Sequence, residues 1–530
     1  MMRLLLSVIL PATLLLAQNP PAAVPGQPLT SDYRTQEFIF NNGTEPQTLD
    51  PALMTGTPEF RLFMALYEGL VVTNPKTGKA EPGLAESWVV SDDMKTYTFK
   101  LRKALWSDGT PITAQDVVDS WLRILDPKTK AEYSVALTAD IAGAKAFFRG
   151  EGSREGVKIR ATDSQTFEVT FAEPMPQAID MLTRPWYGVM PMHAIKKSGK
   201  DWAKPGTFVG NGPFVLKEWA PRQRIIVTKN ANYWDAANVR LDRILFLPIE
   251  DQAAVYDKFK AGEIDWMEGI DKNRYSEIKS RPDYQHVIGS TIYYYLFNVY
   301  KKPLDDRNVR KALSMAINRQ ELCEKVLGTG MMPTGGFVPP MGNFVTAKGN
   351  TFNPDEAKKL LAEAGYPEGK GFPKFKIIYN TNLNHKKIAE WVQGQWKTIL
   401  GIEVKIDDVE WGKFLDRRSK HDFEISRGGW QADFSDPMNF LFLFRTRDGY
   451  NDGQYSNPKF DALLEQASLL PLGEKRDMVL MEAEEALITQ DQAVIPFYFY
   501  INQDLIDLNK WGGWYAHPMG VHPWKTIFRK

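Results

Sequence analysis

The stretch RGGWQADFSDP, residues 427–437, brings an arginine, two glycines, a tryptophan and two aspartates together within eleven positions. Three chemistries use such a set. A pair of carboxylates, Asp433 with Asp436, can do general acid and base work. Acids can join a metal site. An arginine and an aspartate can also clamp a ligand that carries both charges, with Trp430 as an apolar wall and Gly428 and Gly429 leaving room for another backbone to approach.

The remaining candidate groups weaken the first two readings. The six histidines, His193, His286, His385, His421, His517 and His522, form no HExxH helix and no Cys/His cluster, and His517 and His522 in HPMGVHP read as a loop. There is no GxSxG elbow and no GxxxxGK[ST] phosphate loop, and GNGPF (210–214) lacks dinucleotide-fingerprint spacing. Asp305 and Asp306 are a second possible carboxylate pair, but adjacent acids in loops are commonly solvated or capping. A clamp remains the best reading, with one plain alternative: Arg427 and Asp433 simply neutralise each other.

Strand and helix patterns alternate along the chain, which predicts an α/β fold. FKIIYN (375–380) reads as a strand and HKKIAEWVQGQWKTIL (385–400) as a helix with Ile388, Trp391, Val392, Ile399 and Leu400 inward, ended by Gly401. IEVKI (402–406) is the next strand, EWGKFLDRRSK (410–420) a helix and FEIS (423–426) a strand. Ligands in such units lie beyond the carboxyl ends of the strands, where RGGWQADFSDP begins. Elsewhere TYTFKL (96–101) alternates, and TAQDVVDSWLRIL (113–125) is an amphipathic helix capped by Thr113 with Asp116 in its first turn. In NPDEAKKLLAEAGYP, Asn353 caps, Pro354 opens and Gly365 stops a helix.

A chain of 530 residues allows about three domains at roughly 150 residues each and a deep cleft between them. Sixty-five basic residues balance sixty-five acidic ones, which argues against a nucleic-acid partner. After MMR, the apolar run LLLSVILPATLLLA ending at Ala17 has the make-up of a secretory signal peptide over residues 1–17, and is short for a membrane span. Cys323 is the single cysteine, so no intrachain disulfide can form and no lipid-modified cysteine follows the apolar run. Cys323 itself reads as a packed helix residue. The expected location is the periplasm, with no cofactor or metal.

Several segments together carry a family resemblance: NNGTEPQTLDP (41–51), LAESWVVSDDMKTYTFKLRKALWSDGTPITAQDVVDSW (84–121), GNGPFVLKEW (210–219), NYWD (232–235), AGEIDW (261–266), VRKALSMAINR (309–319), NHKKIAEWVQGQWKTILGIEV (384–404), EWGKFLDRR (410–418) and RGGWQADFSDP. In this order they make the chain similar to bacterial extracellular solute-binding proteins of the peptide-binding family, the receptors of ABC importers, and above all to the oligopeptide-binding members. The resemblance implies a two-lobed periplasmic-binding-protein fold with a hinge and an extra domain. Lobe I would comprise 18–67, 191–284 and 501–530, the extra domain 68–190 and lobe II 285–500, with the hinge near 284 and 500. It implies a monomeric binding protein, not an enzyme, which delivers short peptides of about two to five residues to a permease and ATPase complex in the inner membrane.

Carried over by motif, the resemblance makes Asp433 the partner of the peptide α-amino group. Arg427, Arg418 and His385 meet the carboxylate of peptides of different lengths. Gly429, Trp430 and Gln431 pair their backbone with the peptide as an added strand, Thr55, Gly56 and Thr57 occupy the facing edge, and Tyr294 belongs to the cleft wall. Asp119 and Thr55 depart from the family pattern and bear on the side-chain pockets. Other solutes carried by the same fold are a murein peptide, an oligosaccharide, a nickel chelate or haem, and a secreted hydrolase is the alternative outside it.

Overall fold

The computed structural model describes residues 36–131, 133 and 140–530, so the leader expected over residues 1–17 lies outside the described residues. Local signals work as read. Thr113 and Asp116 close a capping box at the start of helix Ala114–Leu125, which buries Val117, Val118, Trp121, Leu122 and Leu125. Asn353 caps Pro354–Glu363, and Asn382 caps Leu383–Leu400 through the amides of Asn384 and His385. On that helix Ile388, Val392 and Leu400 are buried; Trp391 and Ile399 are half-buried, and Trp396 takes the deepest place, its indole NH 2.8 Å from the Leu313 carbonyl.

An 11-stranded sheet runs through the molecule. Its middle is two long antiparallel strands, Tyr284–Phe297 and Val494–Ile506. Tyr284–Ile288 pairs with Ile501–Leu505, Ile292–Leu296 pairs with Val494–Phe499, and the register breaks between Ile288 and Ile292. To one side the sheet continues through Ile425–Gln431, Phe375–Asn380 and Val404–Val409. To the other it continues through Trp266–Glu268, Glu37–Asn41, Arg243–Leu247, Arg224–Lys229 and Phe214–Ala220.

The apolar cores follow this division. Two clusters draw their buried members from residues between 292 and 499, and two more from residues 38–67, 202–278 and 505–527. A further cluster surrounds the four-stranded antiparallel sheet Ala85–Val90, Thr96–Leu101, Thr166–Thr170 and Ile159–Asp163 together with helix Ala114–Leu125. Asp119 pairs with Arg154 on the outside of this unit.

The expected strand at 423–426 is displaced. The strand is Ile425–Gln431, so Arg427–Gln431 is extended strand and the loop opens only at Ala432. Two glycines argue locally against a strand, but seven successive pairings with Thr291–Phe297 outweigh that propensity. Cys323 is buried and burial pushes its thiol up to about 12, which makes it a packing residue.

Candidate functional site

Parallel strands Phe375–Asn380, Val404–Val409 and Ile425–Gln431 point their carboxyl ends the same way, and helices Leu383–Leu400 and Trp411–Ser419 leave from those ends. Strand 375–380 pairs with 425–431 only at Ile425 and Ser426 before the chain turns away at Asn380. Among the described residues, the outer edge of Arg427–Gln431 is therefore unpaired, while its inner edge is held by Thr291–Tyr295.

This edge leads into a cleft of about 800 Å³. Tyr500–Asp504 of the long strand lines it, Thr55–Thr57 and the Thr183–Trp186 segment stand on one side, and Gln431, Ala432 and Asp433 on the other. Thr55, Gly56 and Thr57 are in the cleft as expected, but as the open N-terminal end of helix Thr57–Leu66 and not as a strand edge. Phe434 packs against the core of the four-stranded unit, so the loop after Gln431 joins that unit to the strand.

Asp433 has no cation bonded to its carboxylate, whose hydrogen bond comes from the Asn439 side chain. Its own amide donates to Asn439 Oδ1 at 3.1 Å, which fixes the backbone, and burial holds its carboxyl above the usual range, opposed by the charge of Arg184. Among the described residues it has no ion pair within 4.0 Å, and neither has Arg427. The neutralised pair of the plain alternative is thus absent. The other aspartate is committed: Asp436 takes a bidentate pair of bonds from buried Arg476 at 2.7 and 2.9 Å. Asp306 caps helix Arg307–Met315 by accepting from Asn308, so neither carboxylate pair is disposed as an acid and base. Among the described residues no cluster of metal-ligating side chains occurs.

The three expected cations differ from one another. Arg427 lies over the Tyr293 ring at 5.1 Å, with Nη1 3.5 Å from Asn380 Oδ1, and its Nε is buried without a partner. Arg418 is not free, because Asp452 holds it at 2.6 Å. His385 is not a cation at neutral pH: burial, then the neighbouring Arg427 charge, lowers it to about 4, and its Nδ1–H faces the Asn380 carbonyl at 3.1 Å.

Three further expectations are corrected by packing. Trp430 donates its indole NH to Asn439 Oδ1 at 2.9 Å and packs edge-on against Phe442 and exposed Tyr450, so its half-buried ring is held by its own neighbours and does not line the cleft. Tyr294 is buried against Phe337 and does not line the cleft. The glycines serve their own side of the strand: a Cβ at Gly428 would meet the Tyr294 ring at 2.4 Å, and one at Gly429 would meet Arg427 Nη2 at 2.8 Å.

Sequence reasoning missed Arg184, which lines the cleft in LTRPWYG. Burial lowers its guanidinium to about 10, with Asp433 the largest opposing charge, and its Nε has no hydrogen bond. Nothing in its local pattern distinguishes it from a surface arginine before a proline. Next to it Trp186 stacks on Tyr133 at 4.4 Å, with Phe60 6.0 Å from Trp186. Of the other charges in the cleft, exposed Lys272 makes no ion pair among the described residues, and the rest are satisfied. Arg61 pairs with Glu268 at 2.8 Å, buried Glu68 accepts from Tyr233, Trp234 and Lys525, and burial pushes Asp504 up to about 8, which keeps it protonated at neutral pH.

Two lobes joined through paired strands, with an open charged cleft between them, define the class: a two-lobed α/β binding protein that takes its ligand between the lobes. The family model for bacterial extracellular solute-binding proteins, family 5 (middle part), matches residues 79–452, and the chain belongs to this family. The family is one of binding proteins of peptide importers and not of enzymes. The chain is 37% identical over 486 residues to the periplasmic murein peptide-binding protein MppA of Escherichia coli strain K12, covering 89% of each chain. It is 36% identical over 493 residues to the periplasmic oligopeptide-binding protein OppA of the same strain, covering 91% of this chain and 90% of the relative.

Solved structures are similar over nearly the whole chain. The chain superposes on an unliganded open form of MppA with a TM-score of 0.85 at 35% identity, covering 93% of this chain and 97% of the other. A second structure of the E. coli MppA gives 0.69 at 34% identity, covering 95% and 99%. At near-equal identity, the superposition on the unliganded open form is the better of the two. The expected site is divided: Gln431 and Asp433 line the cleft, and Arg427, Arg418 and His385 do not.

Proposed function

We propose that this protein is a periplasmic receptor which binds short peptides of two to five residues as a monomer and delivers them to an ABC permease. The observation that carries the reading is the unpaired edge of Arg427–Gln431, with one unneutralised acid, Asp433, at its end and one unneutralised base, Arg427, at its start. An extended strand advances about 3.3 Å per residue, so the four steps from Arg427 to Gln431 span about 13 Å, the length of roughly four peptide residues. A peptide pairing with this edge, its amine at Asp433 and its carboxylate toward Arg427, would run antiparallel to it. Water around the variable side chains would allow many sequences.

Lobe closure would bring Thr55–Thr57 over the bound chain. The domain boundaries we infer are lobe I at 18–67, 191–284 and 501–530, the extra domain at 68–190 and lobe II at 285–500, with the hinge at the crossing strands. Calorimetry with Ala-Ala-Ala, its N-acetyl form and a cello-oligosaccharide tests the reading. Binding of the free tripeptide alone is expected; binding of the sugar and not the peptide would overturn it.

A further inference from the structure

Among the charged side chains that line the cleft, three keep a charge with no ion-pair partner within 4.0 Å among the described residues: Asp433, Arg184 and Lys272. Lys272 stands in water at the rim. Asp433 and Arg184 lie close enough for each charge to shift the other, yet not close enough for an ion pair within 4.0 Å. The gap between them is part of the open cleft, and aromatic rings flank it on the side of Trp186.

This inference rests on the peptide reading above. A peptide amine arriving at Asp433 brings a second positive charge beside the first. The local sum then goes from zero to one unit positive in a partly desolvated space, where an uncompensated charge is costly. A ligand that also carries an anion at this end restores neutrality. The side chain of the first residue leaves from the carbon that bears the amine, so it is the nearest group the peptide can offer. The second side chain leaves on the opposite face of the extended backbone and points away.

We propose that Arg184 is a specificity-determining residue that selects peptides whose first residue is acidic, holding that side-chain carboxylate while Asp433 holds the α-amine. The planar guanidinium suits a carboxylate held through two parallel bonds, and its unbonded Nε supplies one of the donors.

The test is calorimetric titration of the full-length mature protein with Glu-Ala-Ala, Gln-Ala-Ala, Ala-Glu-Ala and Ala-Gln-Ala. The wild type should bind Glu-Ala-Ala about tenfold more tightly than Gln-Ala-Ala, the scale of one charge-assisted pair. Ala-Glu-Ala should show no such gain over Ala-Gln-Ala. In Arg184→Gln the Glu to Gln ratio should fall to near one, and Arg184→Lys should retain part of it. Equal affinities in the wild type overturn the proposal, and so does a preference that survives in Arg184→Gln. Should that variant not fold, the wild-type ratios decide alone. Failure of every tripeptide to bind the wild type is a different result: it defeats the peptide reading itself, and this inference with it.

Discussion

Replacing Asp433 by alanine removes the proposed anchor for the ligand amine and one bond to the Asn439 side chain, while Asn439 still accepts from the backbone amide of residue 433 and from the Trp430 indole and so holds the loop. Truncating one side of a buried charge pair costs roughly 2 to 5 kcal/mol. The structure argues for the lower part of that range, since Arg184 already shares the Asp433 charge and the cleft is open to water on one side. A loss of about 2 to 3 kcal/mol is therefore expected, or roughly 30- to 150-fold in Kd. Calorimetry with Ala-Ala-Ala and N-acetyl-Ala-Ala-Ala on both proteins measures it. Acetylation should cost the wild type a similar factor and cost Asp433→Ala little, because each change removes the same pair and the two losses should not add. Equal affinity of the wild type for the free and acetylated peptides would refute the assignment, whatever the variant does.

Three other outcomes follow from the same geometry. The Asp433 carboxyl is held above its ordinary range by burial, and an amine favours the anion, so affinity for a tripeptide should weaken as pH falls through that raised value; in Asp433→Asn the acid limb of the pH profile should be flat. Arg427→Ala should weaken tripeptide binding about tenfold or more without lowering Tm much, whereas Arg418→Ala, which strands Asp452, should lower Tm by several degrees in thermal denaturation. Asp504 binds its proton in the folded state up to about pH 8 but in the unfolded chain only to about pH 4, so its contribution to stability is full at acid pH and is lost as pH rises through 8. Relative to Asp504→Asn, the wild type should accordingly lose Tm as pH rises toward 8; His385, His517 and His522, lowered to about 4, 3 and 3, act in the opposite sense through their unfolded-state titration near 6.5 but are common to both proteins, so the difference between the two is the measurement.

The sequence was most legible where local rules act alone. Thr113 with Asp116, Asn353 with Pro354, and the alternation of Phe375–Asn380 each specify their own element. The family motifs then gave the two-lobed architecture. The extent of strand 425–431 was hidden, because Gly428 and Gly429 lack strand propensity and are held extended by partners some 135 positions earlier in the chain. Arg418 and Tyr294 were assigned to the cleft from the family resemblance and Trp430 from its type as well, but their partners Asp452, Phe337 and Asn439 are distant in sequence or carry no motif. His385 illustrates a charge that no spacing rule reveals: its neutrality comes from burial and from Arg427, a neighbour only in three dimensions. Arg184 escaped for the same reason, since only the folded chain brings it near Asp433.

The bare strand border beyond Ser426 has one more consequence. On an outer surface, a row of unsatisfied amides and carbonyls would invite any extended chain, including a neighbouring copy, and would nucleate fibrils. If the two lobes shut upon it as proposed, the same row would admit only guests with free ends and small span, and what would be a hazard elsewhere would act here as a gauge of length.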